Sequence, residues 1–165
     1  MTALNLHQIK QYLPHRFPFL MVDAVDEVVL GESIVARKAV TGNEAFFNGH
    51  FPGNPVVPGV LQIEAMGQAG VLLAILSGAK VDHEHTMYVT TITECRFRRP
   101  VVPGDVMELR AKVLKKKLGT WKLECEVWVA GQAVSSASVT ATSGPKAKAP
   151  TLPESFPAPI FEDQP

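Results

Sequence analysis

The chain has only two cysteines in 165 residues, Cys95 and Cys125, and neither sits at a metal-ligand spacing. That scarcity excludes a disulfide framework and a cysteine-based zinc site. Both fall in apolar strand-like text, where buried free thiols are expected. Charge of one sign is also missing: Lys plus Arg and Asp plus Glu each total 16. No global field therefore draws in nucleic acid or an anionic membrane, and any steering by charge must be local. There is no nucleophile elbow, phosphate loop or dinucleotide fingerprint, and no internal repeat. The opening MTALNLHQIKQ lacks a basic stretch followed by an apolar one, so no signal peptide is expected and a reducing cytoplasm fits. His83 and His85, in VDHEH, have no further ligand cluster near them in sequence, and a solvated loop is expected there.

What is present is an ordinary globular composition, 46% apolar, long enough for one domain with a core. Leu6, Ile9 and Leu13 recur at helical spacing until Pro14 stops the run. Residues 20–30 read as extended, Gly31 turns the chain, and residues 33–40 can return as a hairpin partner. A stretch dense in Gly, Pro and Asn covers 42–59, and long irregular stretches inside compact domains are often functional. Pro58 and Gly59 open the strongest helix, expected to run to about Leu76 before Gly78. Its only charge is Glu64, so it should be buried on all sides. A membrane span is disfavoured, because Gln62, Glu64 and Gln68 interrupt it and strands follow.

Four strand patterns come next, at about 86–98, 105–116, 120–130 and 132–142. Met107, Leu109, Ala111 and Val113 alternate with charged residues, as do Trp121, Leu123, Cys125, Val127 and Val129. Such alternation predicts an antiparallel sheet with one dry face, turned at Gly119 and Gly131. The architecture is thus α+β, a sheet curled around a helix. Trp128 falls on the wet face and suggests that this face is also covered, by another subunit for example. The domain is placed at residues 1–143. Residues 144–165, with six prolines, are expected to form an extended tail.

Two residues stand out chemically. Glu64 is a carboxylate on an apolar helix, costly to bury unless paired or protonated; the plain alternative is that one helix edge reaches solvent. Gln68 lies four residues on, on the same face, where its amide can bond the carboxyl or be an ordinary satisfied core group. His50 sits in FNGHFPGNPVVPG, a loop stiffened by Pro52, Pro55 and Pro58, which suits precise delivery of an imidazole. The backbone N–H groups of Gly59 and Val60, at the helix start, can face a carbonyl oxygen.

LPHRFPFLMVD at 13–23, NEAFFNGHFPGNPVVPGVLQIEAMGQAG at 43–70 and RFRRPVVPGD at 96–105 resemble the bacterial (3R)-3-hydroxyacyl-[acyl-carrier-protein] dehydratases of fatty-acid synthesis. The similarity runs from about Ile9 to Ala141. It implies a hot-dog fold and a homodimer, in some members a trimer of dimers forming a homohexamer, with active sites at the dimer interface. It implies His50 and Glu64 as catalytic residues and the Gly59 N–H at the thioester carbonyl. Tyr88 falls where the family lines its acyl tunnel. Ala24 departs from the family, which usually has Arg there, and the tail lies outside the usual pattern. Relatives that also isomerise the double bond usually carry Asp where this chain has Glu64, which favours simple dehydration.

An unperturbed histidine, pKa about 6.5, is mostly neutral at pH 7 and suits a base, so His50 is assigned as the base at C2 and Glu64 as the acid at the departing C3 hydroxyl, with no metal or organic cofactor required. Burial raises carboxyl pKa values, which suits an acid role. The partner is an acyl carrier protein, acidic in proteins of this kind, so a local basic rim is expected from Arg96, Arg98, Arg99 and the run Lys115, Lys116, Lys117. A solvated strand face is the plain alternative for each of these. The competing functions are a hot-dog thioesterase, which need not have the loop histidine, and a non-catalytic acyl-thioester scaffold.

Overall fold

The computed structural model describes residues 3–147. A short helix α1 (Leu6–Tyr12) leads by an irregular segment to strands β1 (Ala24–Val29) and β2 (Ser33–Ala39). The long loop follows, then helix α2 (Gly59–Leu76) and strands β3 (His85–Phe97), β4 (Val106–Lys117), β5 (Thr120–Val129) and β6 (Gln132–Pro145). The strands form one antiparallel sheet in the order β1-β2-β4-β5-β6-β3. The sheet is open, with β1 and β3 at its edges.

The expected period-two pattern decides which face is dry. Met107, Leu109 and Ala111 of β4 and Trp121, Leu123, Cys125, Val127 and Val129 of β5 are all buried. Both expected tight turns form with two residues at positive φ, Leu118–Gly119 and Ala130–Gly131. That geometry matches the twist of the strands it joins. Against the dry face lies α2, with Ala65 through Ala74 buried without interruption. By length and composition α2 would cross a membrane; its burial inside the sheet is that of a core helix. Each of Met66, Leu72 and Leu73 is fully buried, and such side chains contribute about 1.5–3 kcal/mol apiece.

Four details differ from the sequence reading. Residues 20–23 do not join β1, because part of their backbone is engaged elsewhere: the Met21 N–H donates to the Gln68 side chain. A single 3-10 turn, Ala45–Asn48, interrupts the long loop. Strand β6 runs to Pro145, opposite His85, so the ladder outlasts the expected domain boundary by two residues; residues 148–165 of the expected tail lie outside the described residues. Trp128 is covered within its own chain, by the Arg110 guanidinium 4.2 Å from its ring centroid and by donation of its N–H to Glu126. Ala24 is buried at the start of β1.

Helix α2 approaches the sheet closely at Gly70, where a Cβ would lie 2.6 Å from Leu123 Cδ1. Leu123 is itself fully buried and has nowhere to go. Replacing a helical Gly by Ala ordinarily stabilises by about 1 kcal/mol. Here overpacking costs about 1–3 kcal/mol, so Gly70→Ala should be net destabilising in urea unfolding. A midpoint at or above that of the unmodified protein would show that the contact is slack.

Candidate active site

The long loop brings His50 to a pocket of about 560 Å³ shared with Val56, Gly59, Val60, Phe97 and Arg98. The histidine is fixed by its own loop: Nδ1 lies 2.8 Å from the Val56 carbonyl oxygen, and the His50 carbonyl accepts from the Val56 N–H. A carbonyl only accepts, so the neutral ring carries its proton on Nδ1 and its lone pair on Nε2. The Phe51 ring stacks on it with centroids 4.0 Å apart.

Gly59 opens α2 in the same pocket. The helix start has no side-chain cap, and its first N–H groups have no intrahelical acceptor. Leu61 and Gln62 turn theirs to the Pro58 carbonyl, leaving those of Gly59 and Val60. A Cβ at Gly59 would come within 2.8 Å of Phe97 Cζ, so a side chain there must displace the ring from the pocket wall.

Glu64 is one to two turns further along α2 and faces a second pocket, of about 180 Å³, with His15, Gln68, Val71, Tyr88 and Val89. The expected pairing with Gln68 is present, the amide donating to Glu64 Oε1 at 2.8 Å. The same amide nitrogen donates to the Phe19 carbonyl at 2.6 Å, and the amide oxygen accepts from the Met21 N–H at 2.8 Å. Gln68 thus fastens the helix to the 14–23 segment. The Glu64 side chain retains 29% exposure, so within one chain its burial is partial. Beside it is His15, in the LPHRFPFLMVD segment; its Nε2 lies 3.6 Å from Glu64 Oε1. Nothing in sequence separates it from an exposed histidine.

His50 and Glu64 line different pockets in a single chain. Tyr88 borders the Glu64 pocket, and its hydroxyl is held at the end of β6, donating to the Pro145 carbonyl and accepting from the Ala147 N–H. Arg98 and Arg99 line the His50 pocket, and Arg96 lies close by on β3. The lysines lie elsewhere. Lys117 pairs with Thr120, Thr120 with Thr142 and Thr142 with Tyr88, whereas Phe97 pairs with Ser135. In one chain, then, Lys115, Lys116 and Lys117 are at the end of the sheet where β3 begins and the arginines are where it finishes. Lys116 is also committed to the Trp121 ring, 4.2 Å away.

The remaining candidates have structural roles. Asp82 accepts from the backbone N–H groups of Glu84 and His85. These bonds, the Glu84 one foremost, and the His85 ring lower its pKa to about 2. Among the described residues no cluster of three or more His, Cys, Asp or Glu is placed to hold a metal. The two cysteines are free, and burial pushes the Cys125 thiol up to about 12, which disqualifies it as a nucleophile.

A long helix in a curled sheet, with a loop imidazole and a helix carboxyl beside it, defines a hot-dog domain with a candidate acid–base centre. The family profile of the FabA-like domain matches residues 13–138. The chain is 49% identical over 140 residues to the 3-hydroxyacyl-[acyl-carrier-protein] dehydratase FabZ of Nitratidesulfovibrio vulgaris (strain DP4), covering 85% of this chain and 91% of the relative. To the enzyme of the same name from Nitrosospira multiformis it is 45% identical over 144 residues, 87% of this chain and 99% of that one. Among solved structures, the dehydratase heterocomplex ApeI:P from Xenorhabdus doucetiae matches with TM-score 0.69 at 18% identity, over 82% of this chain and 90% of that one. A thioesterase from Haemophilus influenzae matches with TM-score 0.60 at 14% identity, over 87% and 92%. Those two likenesses concern the fold alone. The chain belongs to the 3-hydroxyacyl-[acyl-carrier-protein] dehydratase family.

The Gln68 knot carries a measurable load. Gln68→Leu preserves bulk but leaves the buried Met21 N–H without its acceptor, which costs about 1–3 kcal/mol. Urea unfolding should register that loss, and an unchanged midpoint would mean the bonds to the 14–23 segment contribute nothing net.

Proposed function

We propose that this chain dehydrates (3R)-3-hydroxyacyl-[acyl-carrier-protein] to trans-2-enoyl-[acyl-carrier-protein] in fatty-acid synthesis, in the cytoplasm, with His50 as base and Glu64 as acid. The observation that carries the reading is the Val56 carbonyl on His50 Nδ1, which leaves Nε2 free to accept a proton. Nε2 takes the proton from C2, and the C–H electron pair becomes the C2=C3 double bond. The Glu64 carboxyl delivers its proton to the C3 hydroxyl, which leaves as water. The Gly59 N–H, with Val60 beside it, stabilises the enolate-like thioester oxygen. Proton exchange with solvent resets the pair.

The two residues must meet across a dimer two-fold. Support comes from β3, a sheet edge with Val89, Ile92 and Phe97 exposed on it. A long apolar edge strand invites another strand to pair with it. The Glu64 pocket includes Thr86 through Val89, near the start of β3, and the His50 pocket includes Phe97, at its end. Antiparallel pairing of β3 with the same strand of a second copy brings one end against the other. His50 of one subunit then faces Glu64 of its partner, twice per dimer.

His50→Ala and Glu64→Gln should each lower turnover at least about a hundredfold while remaining folded, the low end for a lost general acid or base. The readout is formation of conjugated enoyl thioester, followed alongside free thiol release, which a thioesterase would produce instead. A folded Glu64→Gln protein with near-normal rate removes Glu64 from the mechanism. Mixing the two inactive variants under subunit exchange adds a test of the shared site. About half the dimers become mixed, each with one intact site, so roughly a quarter of wild-type sites should return. If both residues acted within one chain, mixing would restore nothing.

Carrier-protein docking is assigned to the arginines that border the His50 pocket. Charge reversal at Arg96, Arg98 and Arg99 should raise KM for a carrier-bound substrate and leave KM for a small thioester analogue unchanged. Equal effects on both substrates would sink the docking surface.

A further inference from the structure

The 14–23 segment touches the Glu64 carboxyl group at two points. Gln68, itself held by Phe19 and Met21, donates to Oε1 at 2.8 Å. His15 Nε2 lies 3.6 Å from that same oxygen. Glu64 Oε2 has no partner among the described residues.

The imidazole of His15 is oddly placed for an ordinary surface residue. Its Nδ1 is buried with no hydrogen-bond partner. Forming an imidazolium requires a second N–H, and here it would sit where nothing accepts it. Burial lowers the pKa of His15 below its ordinary 6.5; the Glu64 charge opposes this and the Arg16 charge adds to it. The ring is therefore neutral near pH 7, with its proton on Nε2, the nitrogen that faces the carboxyl group. Within one chain the ionisable side chains bordering this pocket are His15 and Glu64, with Tyr88 from β3; in the proposed dimer the partner's His50 faces Glu64 as well. Arg16 is turned away, its guanidinium on the carbonyls of Lys10, Leu13 and His15.

We propose that His15 is a positioning residue for Glu64: with the Gln68 amide it addresses Oε1, and so presents Oε2 to the substrate hydroxyl. The proposal rests on the reading of Glu64 as the acid of the dehydration. A neutral ring can orient the carboxyl group and still let it carry a proton. An imidazolium in the same place would favour the carboxylate and withdraw the acid. Activity should thus fall on the acid side partly because His15 becomes charged. The 3.6 Å separation is longer than a hydrogen bond, and such contacts tighten once substrate excludes water.

The test compares His15→Leu and His15→Gln with the unmodified enzyme between pH 5 and 9. Leu keeps bulk and removes the donor. It should lower kcat about tenfold with KM changed less than about twofold, the signature of an interaction made in the transition state. Gln restores an N–H donor that does not titrate. It should recover kcat to within about threefold of wild type. Equal losses in the two variants overturn the proposal. A second readout needs no turnover. Followed by NMR at pH 7, the His15 Nε2 resonance should shift in Glu64→Gln, where the carboxyl group it addresses is replaced by an amide. An unchanged resonance overturns the positioning role while leaving the dehydratase reading intact. A shifted resonance in a protein whose Glu64→Gln variant dehydrates normally overturns that reading and the role of Oε2 together.

Discussion

An 18-residue helix with an apolar surface on all sides has to be taken out of water, and the rest of the molecule follows from how that is done. A helix that is greasy on one stripe can rest on a flat layer; this one needs cover around most of its circumference. The antiparallel sheet supplies it by curling. Gly70 lets the helix and Leu123 approach, and the alternating side chains of β4 and β5 fill the remaining space. The cover stops at β3, the edge strand, and the part of α2 that carries Val60 and Glu64 is left next to that edge.

Placing a carboxyl group at the boundary of an apolar core creates both a cost and an opportunity. The cost is met by polar neighbours instead of a counter-charge: an amide from the next turn of the same helix and a neutral imidazole from the 14–23 segment. Neither forces the group to ionise, whereas a lysine or arginine in their place would hold it as an anion and remove it from the acid role proposed above. The same economy governs His50, whose orientation is set by a backbone carbonyl and not by a second carboxylate.

In the proposed dimer the open edge explains why each chain holds two half-sites: each pocket is bordered by one end of β3, so the pairing of that strand would tie the chemistry to assembly. Tyr88 adds a link to the end of β6, since its hydroxyl bonds Pro145 and Ala147.

Much of this was legible in the sequence, because it depends on local periodicity. The span of α2, the alternation in β4 and β5, the two-residue turns and the pairing of Glu64 with Gln68 all follow from residue spacing along one element. Other features depend on which distant segments share a space, and spacing is silent on that. His15 and Glu64 are 49 positions apart and meet only because Gln68 draws the 14–23 segment onto the helix. The backbone around Met21 reads as strand yet turns to a side chain, since one well-placed amide satisfies an N–H as completely as a ladder does. The arginines and lysines look like one basic rim in a list of charges, but within one chain the antiparallel register sends them to opposite ends of the sheet. Residue type and period determined the elements and the chemical groups; the curl of the sheet and its open edge decided which of those groups stand together.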